Sequence, residues 1–404
     1  MKRILFVAFA TTLLAASCSK TEVINPEGNQ IGFSTGMNKL TKSEGTADAA
    51  AVDLANLKAQ DFRVWATYVQ DDQHVAGNQA NTFFDGIQNL PITWNTPKSG
   101  EWNTDKDYYW PGKDKELKFF AVSGGQQINV DASPVAIADD RTALVVNSFN
   151  VTNTGYNADL MVADFVKQHQ ADREVNLKFH HALSKVEFLF KTIAQSGSAN
   201  PIRVFVQKVE VKDLATTGNL VVTPTTSNPS TQDETTTSYE GTQIPVTLQW
   251  TSASVNANQL SAATITPLVG AVTPGTDNDF VDDWEEVYKA ESTEEDNFPK
   301  KIEGQNPTDE DKKAMEVTAT GSEPAQVFTT WLMLPQEISE KQVEITYLIN
   351  ERRFTSIFPL GTASLTAWAQ NQYVRYTVTI APNLISFNPD VKGWDQYDAS
   401  EYQN

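Results

Sequence analysis

The chain has 404 residues, 40% of them hydrophobic, with nine Trp, twenty Phe and eleven Tyr; this is enough for a packed core, and the length fits roughly two domains. A formal net charge of −20 excludes nucleic-acid binding by phosphate neutralisation and any electrostatic pull toward an anionic bilayer. The only cysteine is Cys18, so no intrachain disulfide forms and stability must come from the core.

In chain order, Lys2 and Arg3 precede an apolar run from Ile4 to Ala16, too short to span a bilayer and suited to a signal peptide over residues 1–17. Residues 18–30 are polar and turn-rich and read as a tether. The first expected strand is Ile31 to Thr35, followed by an exposed small-residue loop from Gly36 to Ala51 that carries Lys39 and Lys42. Beyond it the apolar pattern has period two. Phe62, Val64, Ala66 and Tyr68 alternate with Arg63, Trp65, Thr67 and Val69, which predicts a strand with one wetter face. Similar runs lie at 117–122, 160–163, 175–179, 186–190, 202–211, 246–250, 263–268, 327–334, 343–349, 354–358 and 373–380. No sustained 3.6-residue stripe marks a major helix, so the expected class is all-β, built from β-sandwiches.

The stretch VNLKFHHALSKVEFLF sets the domain boundary. Val175, Leu177 and Phe179 are odd and Val186, Phe188 and Phe190 even, so the core-facing phase slips by one across HHALS. Either a bulge sits there or one strand ends and another begins, and the second reading places a junction near residue 180, between domains at 31–180 and 181–404. A second slip, between Val206 and Val209, reads as a bulge. Two segments of the second domain read as insertions: the Thr/Ser/Pro-rich 223–242, and 277–316, with fifteen acidic residues and a candidate short helix at 280–290.

Catalytic material is sparse. His74, His169, His180 and His181 lack metal-ligand spacing, and His180 and His181 point to opposite sides of an extended chain, which suits packing or hydrogen bonding at the junction. There is no G-x-S-x-G, phosphate-binding loop or C-x-x-C, and DNDFVDDWEEVY fails the EF-hand spacing, so no cofactor or enzyme activity is implied. Trp94, Trp102 and Trp110 lie beside Tyr108 and Tyr109. These rings either fill the first domain's core or, at Trp94 and Trp102, stack on a sugar ligand.

The stretch LLAASC, ending at Cys18, resembles the lipobox of bacterial lipoproteins, with Ala15 where Leu is preferred. Such a motif implies acylation of Cys18 and anchorage in the outer membrane; the alternative is cleavage after an A-x-A-like site that leaves a lone thiol. Further along stand IGFST with the basic KLTKSEG after it, DYYWPGKDKELKFFAVS at 107–123, LKFHHALSKVEF at 177–188, WAQNQYVRYTVTI at 368–380 and LISFNPDVKGW at 384–394. Together these resemble the fimbrillin-like proteins, subunits of type V pili.

The resemblance implies two transthyretin-like β-sandwich domains in tandem and assembly by strand exchange with other pilin subunits. In that scheme a basic-residue protease cuts after the first strand, at Lys42 or else Lys39, and removes Ile31 and Phe33. The vacated groove takes a donor strand with Ile385, Phe387, Val391 and Trp394 as its apolar candidates. Ile385, Phe387 and Val391 share one strand face, while Trp394 is out of phase unless Gly393 bends the chain. Each assignment has an alternative: Lys42 as a solvated loop lysine, and 385–394 as the last strand of its own domain. The resemblance also leaves open an anchored or tip subunit that binds a host or bacterial surface ligand without polymerising.

Overall fold

The computed structural model describes residues 30–37, 57–69, 83–84, 89–112, 115–128, 135–138, 142–154, 158–170, 174–193, 203–225, 241–251, 260–265, 314–349, 352–381 and 384–394. The fold is all-β. Numbered in chain order, the strands of a nine-stranded sheet lie as β1 (Phe33–Met37), β10 (Val175–His181), β8 (Met161–Ala163), β5 (Glu116–Ser123), β2 (Phe62–Tyr68), β3 (Leu90–Trp94) and β4 (Trp102–Asn103). β9 (Phe165–His169) pairs with β5, and β14 (Thr242–Ile244) with β9.

A four-stranded sheet runs β18 (Gln326–Met333), β11 (Ser184–Thr192), β23 (Gln372–Ala381), β24 (Leu384–Gly393). A five-stranded sheet runs β16 (Leu260–Ile265), β12 (Val204–Ala215), β20 (Gln342–Ile349), β21 (Arg352–Pro359), with β17 (Met315–Glu316) also on β12. A second four-stranded sheet runs β15 (Val246–Thr251), β13 (Thr217–Pro224), β7 (Leu144–Asn150), β6 (Val135–Ile137), and β19 (Gln336–Glu337) pairs with β22 (Ala367–Trp368).

β2 and β5 show how the sequence builds the centre. On one face Phe62, Val64 and Ala66 meet Leu117, Phe119 and Ala121 in a cluster that also takes Ile31 and Phe33. On the other, Trp65, Phe120 and Val122 join a larger cluster with Phe188, Trp331 and Tyr376. The face of β2 read as wetter is therefore covered, with Trp65 and Thr67 both buried. A sheet with apolar layers on both faces needs near-continuous hydrophobic strands, which is what ELKFFAVS supplies.

At HHALS one strand ends and another begins: β10 stops at His181 and β11, in a different sheet, starts at Ser184. The change of sheet explains the change of phase. Pairings also run across residue 180, since β7 pairs with β13 and β9 with β14. The register of β12 on β20 shifts between Val206 and Lys208, the bulge read from the sequence. Of the two insertions, residues 226–240 and 277–313, including the candidate helix at 280–290, lie outside the described residues. Among the described residues no helix is long and apolar enough to cross a membrane, which says nothing of strand-built membrane proteins.

Candidate functional site

The residues expected to act in assembly fall on or beside two strands that each lie at the end of a sheet. β1 is the last strand of the nine-stranded sheet and pairs in parallel with β10, Phe33 opposite Val175 and Met37 opposite Phe179. Ile31 and Phe33 are buried. Phe33 meets Phe119 edge-on at 6.1 Å, and burial of each side chain contributes about 1.5–3 kcal/mol. The backbone is tied by Ile31 N–H donating to Tyr108 O at 2.8 Å and Val175 N–H donating to Gly32 O at 2.8 Å. As a strand at the end of the sheet it has one ladder neighbour, β10, among the described pairings. Lys39, Lys42 and Cys18 lie outside the described residues.

Trp94 and Trp102 sit beside this strand. The Trp102 indole N–H donates to Thr35 Oγ1 at 2.9 Å and its ring meets Phe62 at 4.7 Å and Trp94 at 5.0 Å. Lys58 Nζ lies 4.0 Å from the centroid of the Trp94 ring. Both tryptophans are half-buried, and Trp110 is buried in the same cluster as Phe33. The structure thus brings Trp102 to β1, a relationship that sequence spacing did not reveal.

β24 is the last strand of its own sheet. It pairs antiparallel along its whole length with β23, from Gln372 opposite Gly393 to Ala381 opposite Leu384. Ile385, Phe387 and Val391 are the register partners of Ile380, Val378 and Val374 and share their face, which belongs to the large core. Ile385 and Phe387 are half-buried and Val391 is 37% exposed. Pro389 is tolerated because an edge strand needs ladder donors on one side only. Trp394 follows the strand and is 6% exposed, its N–H donating to Asn371 O at 3.0 Å.

The two junction histidines each take a separate carboxylate. His180 Nε2 lies 2.8 Å from Asp164 Oδ1, which also accepts Val246 N–H at 3.1 Å, and His181 Nδ1 lies 2.8 Å from Asp159 Oδ2. All four side chains are buried. Among the described residues no group of three His, Cys, Asp or Glu side chains is placed to hold a metal ion. Behind β24, burial pushes the Tyr376 phenol well above its usual range, offset in part by the Trp368 indole N–H that donates to it at 3.0 Å.

Comparison with known proteins follows the same line. A sequence-family model described as fimbrillin-like matches residues 51–394. Among solved structures the chain is similar to a fimbrial protein from Bacteroides vulgatus ATCC 8482, at 15% identity, covering 91% of this chain and 99% of that one, with a TM-score of 0.44. It is also similar to a candidate cell adhesion protein from Bacteroides ovatus ATCC 8483, at 13% identity, covering 91% and 98%, with a TM-score of 0.42. No curated protein matches the sequence. The family match runs through well over half of the 404 residues, and the chain belongs to the fimbrillin-like family.

Proposed function

We propose that this protein is a structural subunit of a cell-surface fimbria, exported as a lipoprotein through Cys18, cut after Lys42 or Lys39, and polymerised by strand exchange. Family membership supports the fimbrial role. The observation that carries the exchange reading is a match of pattern. The segment that leads into edge strand β1 buries Ile31 and, at its first residue, Phe33, two residues apart, and β24 presents Ile385 and Phe387 at the same spacing on one face. At home these two donor residues are only half-buried and Val391 is exposed, so moving them into the closed site that β1 vacates removes further apolar surface from water. That gain favours exchange to the extent that it exceeds the cost of uncovering β23, on which β24 is paired and Phe387 stacks.

A second reading is favoured by the complete ladder between β24 and β23: an anchored lipoprotein that keeps both edge strands and meets a surface ligand through Trp94 and Trp102. Mass spectrometry of the N-terminus separates the two, applied to surface material sheared from cells and to the envelope left behind. Sheared protein starting at Ser43 or Leu40, beside an envelope form starting at acylated Cys18, supports the processed subunit. Acylated Cys18 in both fractions overturns it in favour of the anchored form.

A further inference from the structure

The grip on β24 is uneven. From Ile385 to Trp394 only Trp394 is buried, and it is also the one donor candidate out of phase with the strand face. Its indole lies flat on the His181 imidazole, centroids 3.9 Å apart and planes 4° apart. Asp159 Oδ2 lies 2.8 Å from its Nδ1, both side chains being 1% exposed. A second link runs through the backbone, where Trp394 N–H donates to Asn371 O and Asn371 N–H donates to Leu183 O at 2.9 Å. The first link ends on the last residue of β10 and the second on Leu183, in the short connection to β11.

The other end of β10 is where β1 pairs, over Val175 to Phe179. β8 pairs only with Phe179 to His181, so Val175, Asn176 and Leu177 have β1 as their ladder partner among the described pairings. One strand thus touches both exchangeable edges: its first residues hold β1, and its last side chain holds Trp394. Removing β1 would leave the start of β10 without a ladder partner among the described pairings, two residues short of the His pair.

We propose that His181 and Trp394 form a clasp that keeps the C-terminal strand shut while β1 is in place, and that loss of β1 loosens the clasp through β10. This rests on the strand-exchange reading and deepens it, because it orders the steps: the donor is released only in a subunit whose acceptor site is already open. Premature self-association of uncut chains is thereby avoided.

Hydrogen exchange on the unassembled full-length chain tests the clasp without requiring a polymer. Trp394→Ala should speed exchange of the amides at 385–393 by at least about ten-fold while those of β12 and β20 keep their protection. Trp394→Phe, which keeps a flat ring, should restore part of it. Ile31→Ser with Phe33→Ser should open 33–37 and raise exchange at 385–393 as well. Combined with Trp394→Ala, it should add less than the sum of the two effects. Unchanged protection at 385–393 in Trp394→Ala removes the clasp. An open β1 with undisturbed 385–393, or full additivity, removes the coupling. If β24 loosens as expected yet no variant or processed form polymerises, the clasp stands and the exchange reading falls.

Discussion

Phe387 of β24 stacks on Tyr376 of β23, ring centroids 4.9 Å apart and planes 17° apart, and its other neighbour is Phe358 of β21 at 5.2 Å and 9°. The last strand is therefore fastened to both the sheet it belongs to and the five-stranded sheet across the core. Phe387→Ala should lower unfolding stability by about 1–3 kcal/mol, less than a fully buried Phe because the ring is half-exposed. A urea midpoint unchanged from the parent chain would show that the stack contributes nothing.

Tyr376 gives the protein an alkaline limit. Its phenol is buried and its proton is held above the usual value near 10, so the folded state keeps a proton that the unfolded state releases. The stabilisation is full below that unfolded value and is lost as pH rises through and beyond it. Tyr376→Phe should flatten the fall in denaturation midpoint between pH 9.5 and 11.5, roughly the window this shift sets. At neutral pH it should cost about 1 kcal/mol, since the Trp368 N–H loses its acceptor.

Asp164 holds two groups from different strands, His180 of β10 and the Val246 amide of β15. Asp164→Ala should cost about 3–5 kcal/mol, because it strands a buried imidazole and a buried N–H together. Asp164→Asn should cost less. Equal midpoints for the two variants would mean that the retained amide recovers nothing and that the carboxylate charge carries the whole effect.

Processing is tested apart from folding. Replacing Lys39 and Lys42 with Ala leaves every described contact in place, so the thermal midpoint should stay within about 1 °C of the parent, a surface change of a few tenths of a kcal/mol. Surface polymer should fall to near zero and acylated precursor should accumulate. Polymer at the parental level would move the cut elsewhere or remove it.

Much of the strand set was legible because period-two patterning is local. The runs at 62–68, 117–122, 175–179, 343–349 and 373–380 all lie in strands. β7 and β13 were not, for physical reasons that show in their residues. Ser148 has a positive φ of 52°, and its N–H donates to Asn219 Oδ1, so β7 is irregular where it would alternate. β13 contains Gly218, Asn219 and Pro224, which read locally as turn signals. Gly218 is accommodated because a Cβ there would press on the Trp250 ring at 3.1 Å.

At the site, the sequence by itself located a first strand near 31–35 and the strand break at the histidine pair. It did so because alternation and phase slips are properties of neighbours along the chain. What only the tertiary structure decided is which strands lie at edges and what each histidine faces. β1 finds β10 more than a hundred residues away, and Trp394 meets His181 from more than two hundred residues further along the chain. Many segments here share the same apolar alternation, so local pattern cannot choose among partners. The choice falls to register, burial and the satisfaction of buried charge, which exist only once the core has closed.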